Sequence, residues 1–533
     1  MHRSGIGLHA LAGAVRDSST TVVVHGQHQL LGLLPGVAEV GLEDPRDVGH
    51  QVDRVVPDEG HPSLVDLDIG VEVDDLFDLG GRYGHADHSR LLPVTTDKNV
   101  AAAAASTALL TDHYELTMLQ ATLRSGAAHR RSIFELFARR LPDGRRYGVV
   151  AGTGRVLDAI ENFRFGEAEL EHLRQAKVVD EPTLEWLANY RFSGDIWGYA
   201  EGEMFFPNSP VLVVESSFAE GVILETLMLS IMNHDSAIAA AASRMTAAAD
   251  GRPCIEMGSR RTHEWSAVAA ARAAYIAGFG TTSNLEAGRS YGVPTAGTAA
   301  HAFTLVHDDE REAFQAQIEA FGRNTTLLVD TYDVKNAVNI AVEIAGPELG
   351  GVRLDSGDLL VQAREVREQL DSLGATKTRI VVTSDLDEYA ISALQAGPVD
   401  VYGVGTSLVT GSGAPTAGMV YKLVQREDDN GQMVGVAKKS KDKKSIAGRK
   451  YAMRRLGASG LAEAEVVGIG EAPKGDSNDR HLMVELVKDG ERVDRSTLED
   501  ARDRHSASRA ELPARALQMS RGEAVIPTIF EGE

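Results

Sequence analysis

Cysteine is almost missing from this chain of 533 residues, which contains a single one, Cys254. One thiol cannot form an intrachain disulfide, nor can it supply the paired ligands of a cysteine zinc site. This usage is typical of a reducing compartment, and we expect a cytoplasmic protein. The N-terminus also lacks the charged, apolar and cleavage-site order of a signal peptide.

Basic residues are also scarce, because 54 Lys and Arg face 77 Asp and Glu, which gives a formal net charge of −23. This balance argues against a general binder of nucleic acid or of anionic membranes. No apolar run reaches the ~18 residues of a membrane span. The longest runs, at 101–110 and 237–249, are rich in alanine and interrupted by polar residues. We therefore expect neither nucleic acid nor a membrane as a partner.

The first hundred residues differ from the rest, with 16 acidic residues, seven basic residues and eight of the 17 histidines. Their apolar runs are short, and no helical stripe persists for three turns. The histidine spacing matches no metal-ligand motif. Three interpretations stay open: a small acidic accessory domain, a disordered tail, or a stretch that is not normally translated. The last two are favoured.

Two helices are predicted in the following part of the chain. Asp112 can cap a helix that starts in the segment 111–120. A long amphipathic helix is predicted over 221–245, with apolar residues at helical spacing. His234 and Asp235 lie inside this second helix, where a histidine satisfied by its neighbours is favoured over a catalytic one.

From residue 253 onward, short β-branched runs alternate with amphipathic helices, and a small polar cluster follows each run. The predicted strands lie at 254–258, 278–280, 292–295, 326–329, 351–354, 379–382 and 399–402. Such alternation predicts a parallel sheet, and about seven units favour an irregular (β/α) barrel over an open sheet. Because parallel strands end on one face, the polar clusters are expected to converge there.

Several residues of these clusters are suited to binding an anion. Gly403, Gly405 and Thr406 resemble a phosphate-binding turn, although a tight strand–helix turn is equally consistent with them. Arg260 and Arg353 can pair with a carboxylate or phosphate in bidentate fashion. The neighbouring Arg261 is expected to be a solvated or structural charge.

Two further residues bring possible chemistry to the same face. Asp355 can hold ribose hydroxyls or the water shell of Mg²⁺. His301 follows small residues, so its imidazole should be accessible. From the residues alone, the chain is an enzyme that binds a phosphorylated small molecule.

Ten motifs in order make the chain from about residue 110 onward resemble the nicotinate phosphoribosyltransferase family. They are LLTDHYELTMLQA (109–121), FELFARRLP (134–142), EMGSRR (256–261), GTTSN (280–284), GTAAHAF (297–303), LVDTYD (328–333), VRLDSGDL (352–359), TSDLDE (383–388), VYGVGTSLVT (401–410) and GRKYAMRR (448–455).

The resemblance implies a fold in which a seven-stranded irregular α/β barrel packs on a second α/β domain built from N- and C-terminal segments. We accordingly predict an extension over 1–95, an N-terminal domain with a helical connection over 96–250, the catalytic barrel over 251–420, and a segment over 421–533 that completes the second domain. A homodimer with a shared active site is also implied.

The family reaction joins nicotinate to 5-phosphoribosyl-1-diphosphate (PRPP), is coupled to ATP hydrolysis and needs Mg²⁺. The resemblance implies that His301 is phosphorylated by ATP. It implies that nicotinate contacts Arg260 and Ser283 of one subunit and Tyr114 of the partner subunit. It implies PRPP and phosphate contacts for Arg353, Asp355, Gly357, Ser384, Asp385, Gly403, Gly405 and Thr406. For Asp385 a structural helix cap is an open alternative. For Thr153 and Arg155 a plain turn is favoured over a second phosphate role.

Three rival functions fit the sequence less well. Nicotinamide phosphoribosyltransferases carry an aspartate in the segment that matches GTTSN, where this chain has Thr282 and Ser283; a carboxylate there would repel nicotinate. Quinolinate phosphoribosyltransferases are shorter and need extra basic residues for a second carboxylate. A non-catalytic metabolite sensor on the same fold has no need of a histidine at position 301.

Overall fold

The computed structural model describes residues 106–438 and 445–532. The interpretations of residues 1–95 therefore lie outside the described residues. The helices are α1 (His113–Ser125), α2 (Thr153–Glu161), α3 (Glu167–Gln175), α4 (Glu181–Ala188), α5 (Phe218–Val222), α6 (Glu225–Ala249), α7 (Glu264–Ile276), α8 (Leu285–Tyr291), α9 (His301–Leu305), α10 (Glu310–Phe321), α11 (Val334–Ala345), α12 (Leu359–Ser372), α13 (Glu388–Leu394), α14 (Thr406–Val409) and α15 (Leu498–Ala510).

The strands are β1 (Arg131–Ala138), β2 (Gly148–Val149), β3 (Asp195–Tyr199), β4 (Met204–Phe205), β5 (Leu212–Ser217), β6 (Cys254–Glu256), β7 (Thr281–Thr282), β8 (Thr326–Leu328), β9 (Gly351–Leu354), β10 (Arg379–Val382), β11 (Val401–Val404), β12 (Met419–Glu427), β13 (Met433–Gly435), β14 (Lys450–Leu456), β15 (Ala462–Ile469), β16 (Arg480–His481), β17 (Met483–Lys488), β18 (Glu491–Arg492) and β19 (Thr528–Glu531). Short 3₁₀ turns occupy Ala108–Leu110, Ala127–His129 and Ala514–Leu517.

A six-stranded parallel sheet forms one half of the fold, in the order β7-β6-β11-β10-β9-β8. Every neighbouring pair in it is parallel. Its strands are short and apolar, as expected for strands covered on both faces. The predicted alternation of strands and helices is thus confirmed. The sheet is an open half-barrel, however, because its end strands β7 and β8 do not pair with each other within residues 106–438.

The prediction of about seven barrel strands was too high by one. The run at 292–295 contributes only a single bridge, in which Thr295 pairs in parallel with Thr282. Gly292 takes a left-handed conformation (φ 71°) that ends α8. Pro294 has no N–H group to donate to a neighbouring strand. The run therefore has too few residues that are both extended and able to hydrogen-bond, and it does not form a strand of its own.

The second half of the fold is built on antiparallel sheets. Its largest sheet has seven strands in the order β13-β12-β1-β5-β3-β17-β18. β1, β3 and β5 precede the parallel sheet in the chain, and the other four follow it, so both ends of the chain contribute. A four-stranded sheet (β16-β14-β15-β19) and the pair β2-β4 complete this half. The predicted boundaries at 95, 250 and 420 stay predictions.

Helix α6 joins the hydrophobic cores of the two halves. Leu227 and Met228, near its start, pack in the core beneath the seven-stranded sheet. Ile238 and Met245, further along, pack in the core of the parallel sheet. The predicted helix at 221–245 is displaced by four residues, to 225–249. A capping box at Ser217 and Glu220 starts a separate short helix, α5, which ends at Val222 before α6 begins. None of the described helices is long and apolar enough to cross a membrane.

Candidate active site

The polar residues that follow the parallel strands meet at one edge of the half-barrel, as the alternation predicts. Asp355 follows β9 directly and is the centre of the contacts. Thr383, which follows β10, donates its hydroxyl to Oδ1 of Asp355. Oδ2 of Asp355 lies 3.5 Å from Nη2 of Arg353 and 3.9 Å from Nε2 of His301. Three predicted site residues are therefore brought together here.

Arg353 is held in place by its other donors. Its Nε donates to the Thr383 hydroxyl at 3.0 Å. Its Nη1 donates to the Thr298 hydroxyl at 2.7 Å and to the carbonyl of Ala299 at 3.1 Å. The guanidinium thus ties β9, β10 and the segment before His301 into one arrangement, and only 13% of the side chain is exposed.

His301 is the first residue of α9 and presents an accessible ring, with 41% of the side chain exposed. Its Nδ1 lies 3.1 Å from the hydroxyl oxygen of Thr331. When that hydroxyl accepts the Nδ1–H, the lone pair of the neutral ring is on Nε2. Nε2 is the nitrogen that faces Asp355, so in this tautomer the lone pair points into the site.

Asp330 is a site residue that the sequence reasoning missed. Its Oδ2 accepts the backbone N–H of Asp355 at 2.9 Å and the hydroxyl of Ser356 at 2.7 Å. Its Oδ1 is buried and has no hydrogen-bond partner among the described residues. The sequence carried a usable signal, because Asp330 follows a buried apolar strand just as Asp355 does.

The ends of β6 and β7 are joined by Glu256, which is fully buried. Its carboxylate accepts the N–H of Gly258 and the hydroxyl of Thr282, and burial raises the pKa of this carboxyl. Thr282 is consequently turned inward. Ser283, in contrast, is exposed, and its N–H donates to the Glu256 carbonyl at 2.8 Å. Of the two residues that replace the aspartate of nicotinamide-using enzymes, Ser283 is the one that faces outward.

The two arginines of the EMGSRR motif, Arg260 and Arg261, are both exposed on the turn after β6. That turn is linked to the turn after β7, because the Asn284 amide donates to the Ser259 hydroxyl at 3.0 Å. The predicted nicotinate contacts Arg260 and Ser283 thus lie on two turns that are tied to each other.

Six of the eight candidate PRPP and phosphate residues follow strands β9, β10 and β11, whereas Arg353 and Gly403 lie within β9 and β11. Ser384 and Asp385 are exposed, and Ser384 has a φ of 110°, a strained value for a residue other than glycine. Gly405 precedes α14, whose first residue, Thr406, is exposed. Gly357 occupies a left-handed turn with φ 81°.

Gly403 does not lie on a turn. It is buried inside β11, where a Cβ atom would come within 2.5 Å of Thr383 Cγ2 and 2.8 Å of Met257 Sδ. Its position requires glycine for the close approach of neighbouring side chains. Its predicted phosphate contact stays a prediction.

Tyr114 lies apart from these strand ends within its own chain. It is on α1, is 44% exposed, and has Glu115, Glu225 and Thr226 as polar neighbours. Partial burial and the nearby Glu225 carboxylate raise the pKa of Tyr114 to about 12. The role of this ring in the site of the partner subunit stays a prediction.

The AGTGR segment forms the start of α2 and is structural. The N–H groups of Gly152 and Gly154 donate to the Glu201 carboxylate at 2.6 and 3.3 Å, so a carboxylate of the chain already occupies this helix N-terminus. Arg155 pairs with the buried Asp235 at 2.8 Å. Nδ1 of His234 also pairs with Asp235, at 2.8 Å, whereas its Nε2 is buried and has no hydrogen-bond partner among the described residues, so the histidine is satisfied at one nitrogen and not at both.

Comparisons with known proteins agree on one family. Residues 109–233 match the model of the nicotinate phosphoribosyltransferase (NAPRTase) N-terminal domain. The chain is 58% identical over 429 residues to nicotinate phosphoribosyltransferase pncB1 of Mycobacterium tuberculosis, which covers 79% of this chain and 94% of the relative. It is 38% identical over 366 residues to the nicotinate phosphoribosyltransferase of Bacillus subtilis, covering 66% of this chain and 74% of that protein.

The fold has a solved counterpart. The crystal structure of human nicotinic acid phosphoribosyltransferase superposes with a TM-score of 0.68 at 26% sequence identity, covering 79% of this chain and 97% of the human one. The half-barrel and the antiparallel sheets therefore form a known arrangement.

Proposed function

The chain belongs to the nicotinate phosphoribosyltransferase family and has that activity in NAD salvage, and we propose that it couples the transfer to ATP through His301. The observation that carries the proposal is the arrangement of His301, Arg353 and Asp355, in which an accessible imidazole lies beside a cation and a carboxylate at the strand ends. PRPP and nicotinate are the proposed substrates, and nicotinate mononucleotide and diphosphate the products.

The transfer exchanges one bond at the anomeric carbon of PRPP for another. The ring nitrogen of nicotinate forms the new bond while the bond to the diphosphate oxygen breaks, and positive charge develops on the ribose as in glycoside cleavage. Asp355 would hold the ribose through its carboxylate. Arg353 adds a cation that can pair with phosphate oxygens in bidentate fashion.

ATP coupling requires a nucleophile that can take a phosphoryl group. Nε2 of His301 attacks the γ-phosphorus of ATP, the bond to the bridging oxygen breaks, and ADP leaves. Thr331 orients the ring for this step through its contact with Nδ1. The phosphoryl group would then lie close to Arg353, and its differential contacts with bound PRPP shift the equilibrium toward product.

Magnesium fits the chemistry of the residues present. Within the described ranges no group of three or more His, Cys, Asp or Glu side chains is arranged to hold a metal ion. Mg²⁺ usually binds through one or two carboxylates and substrate phosphates, and not in a cage made by the protein. Asp330, with an unpartnered buried Oδ1, and Asp355 would supply those carboxylates. The ion would stabilise the charge on the leaving diphosphate.

Nicotinate is proposed to bind beside the ends of β6 and β7. Arg260 would pair with the pyridine carboxylate, and Ser283 would donate its hydroxyl. Tyr114 of the partner subunit would stack on the ring, which makes a homodimer with a shared site part of the proposal. No acidic side chain stands at Thr282 or Ser283 to repel the nicotinate carboxylate.

A paired assay tests the proposal. Purified protein receives PRPP and Mg²⁺ with either nicotinate or nicotinamide, with and without ATP, and the mononucleotide is quantified. We expect nicotinate turnover that ATP stimulates, and His301→Ala should lose the stimulation yet keep ATP-independent turnover. Loss of both activities in His301→Ala would contradict the assigned role. Turnover of nicotinamide alone would overturn the substrate assignment.

A further inference from the structure

A buried cluster of charged residues lies behind the phosphate-binding turns, outside the site described above. Its centre is Glu388, the first residue of α13, which is 2% exposed. The Glu388 carboxylate contacts three separate segments of the chain. They are the loop after β1 through Arg145, α6 through Arg244, and the turn after α14 through Ser412.

The geometry of these contacts uses both oxygens of the carboxylate. Oε1 accepts from Nη1 of Arg145 at 3.0 Å and from Nε of Arg244 at 3.1 Å. Oε2 accepts the hydroxyl of Ser412 at 2.5 Å. Although burial alone would raise it, the Ser412 hydroxyl and the Arg145 guanidinium hold the pKa of Glu388 below its ordinary value. Glu388 is thus ionised, and we call it the hub because its carboxylate contacts Arg145, Arg244 and Ser412.

Both turns tied to this hub are conformationally unusual. Ser384, four residues before Glu388, has φ 110°, and Ser412 has φ 51°. Residues other than glycine rarely adopt such values, and they persist only where the surrounding structure over-determines them. Arg145 also contacts the turn at Ser412 directly, because its Nη2 donates to the carbonyl of the preceding residue, Gly411, at 2.8 Å.

The turns held in this way are the ones that carry the proposed phosphate contacts. Ser384 and Asp385 lie immediately before α13, which Glu388 begins. Ser412 donates its N–H to the carbonyl of Ser407 at 2.6 Å, which connects the hub to α14 and so to Thr406. Glu388 is thus linked to the first turn along the chain and to the second through Ser412.

We propose that Glu388 is a positioning residue for phosphate binding, which holds the turn at Ser384–Asp385 and the turn at Gly405–Thr406 at the separation that one phosphoryl group of PRPP requires. This inference rests on the proposed function, since it takes PRPP as the ligand of those turns. Glu388 itself is buried and does not touch the substrate. The two arginines against one carboxylate also leave a net positive charge behind the turns, which favours an anion in front of them.

The test compares Glu388→Gln and Ser412→Ala with a control variant, Glu465→Gln. Glu465 is also fully buried and ion-paired, at 3.0 Å from Arg454, but it lies in the four-stranded sheet. We expect Glu388→Gln to raise the KM for PRPP about ten-fold, with the KM for nicotinate and kcat changed less than about two-fold. Ser412→Ala should shift the same KM in the same direction, and it stays informative if Glu388→Gln does not fold. Glu465→Gln should lower the melting temperature with both KM values unchanged.

Binding of ribose 5-phosphate, measured by calorimetry, separates this inference from the proposed function. An increase of about ten-fold in the Kd for ribose 5-phosphate in Glu388→Gln supports the inference. This holds even if the wild-type protein forms no mononucleotide, a result that would contradict only the proposed function. If the wild type is active and Glu388→Gln and Ser412→Ala lower only the melting temperature, as the control does, Glu388 is a structural residue and the inference is wrong.

Discussion

The Nδ1 atom of His301 lies 3.1 Å from the hydroxyl oxygen of Thr331, two residues that are thirty positions apart in the chain. This contact holds the rotation of the ring and so determines which nitrogen faces the strand ends. The other nitrogen is thereby left to face Asp355, where the proposed phosphoryl transfer takes place.

Replacing Thr331 should weaken ATP coupling more than phosphoribosyl transfer. Thr331→Val keeps the shape of the side chain but removes the hydroxyl that orients His301. We expect the ATP-stimulated part of nicotinate turnover to fall by up to about ten-fold, because loss of a half-buried orienting hydrogen bond costs roughly 0.5–1.5 kcal/mol. Turnover without ATP should change little. Thr331→Ser restores the hydroxyl and serves as the control; if it is as impaired as Thr331→Val, the hydroxyl is not the reason.

Replacing Arg260 should affect nicotinate more than PRPP. Arg260→Ala removes the proposed partner of the pyridine carboxylate, so the KM for nicotinate should rise at least about ten-fold while that for PRPP stays within about two-fold. Arg261→Ala is the matched control, since Arg261 is the next residue and is also exposed. Steady-state kinetics with each substrate varied in turn would measure this, and equal effects on the two KM values would remove the assigned role.

Gly403→Ala should destabilise the protein. The added methyl group would lie 2.5 Å from Thr383 Cγ2, and the overpacking should cost about 1–3 kcal/mol of unfolding free energy. Because Thr383 donates to Asp355, activity should fall as well. Gly280→Ala is the control, because its nearest atom would be 3.8 Å away and its unfolding free energy should be close to the wild-type value. Denaturant unfolding of both variants decides this, and equal stabilities would contradict the packing argument.

His505 should make the protein less stable in mild acid. Burial, together with Arg509 and Arg502, lowers the pKa of His505 from 6.5 to about 3. In the unfolded chain His505 is therefore protonated below pH 6.5, whereas in the folded protein it is protonated only below about pH 3. The contribution of neutral His505 to the free energy of unfolding is therefore fully present above pH 6.5. It is lost as the pH falls, by about 1.4 kcal/mol per pH unit at most.

Denaturant unfolding at pH 7 and pH 5 measures this effect. Between these values, the wild type should lose about 2 kcal/mol more than His505→Gln, because glutamine does not titrate. His481→Gln is the control, since His481 is exposed and should leave the wild-type pH dependence unchanged. The same loss in His505→Gln as in the wild type would mean that His505 is not the titrating group.

Local sequence was enough to locate most of the parallel sheet. Strands β9 and β10 begin and end where they were expected, because each is a β-branched run bounded by polar residues. The same pattern over-counted at 292–295, where Pro294 and the positive φ of Gly292 prevent a strand. It also overlooked Asp330, whose role depends on a hydrogen bond to the backbone of Asp355 on the neighbouring strand.

The sequence by itself determined the family, the strand–helix alternation and the face on which His301, Arg353 and Asp355 meet. These follow from local patterns, since side-chain periodicity and strand-end residues are set by neighbours in the chain. Only the tertiary structure decided that Thr331 orients His301, that Gly403 packs inside β11 while Gly405 lies in the turn, and that Glu388 joins Arg145, Arg244 and Ser412. Such contacts link residues up to 243 positions apart, and their partners depend on how the helices and sheets pack, which no local pattern encodes.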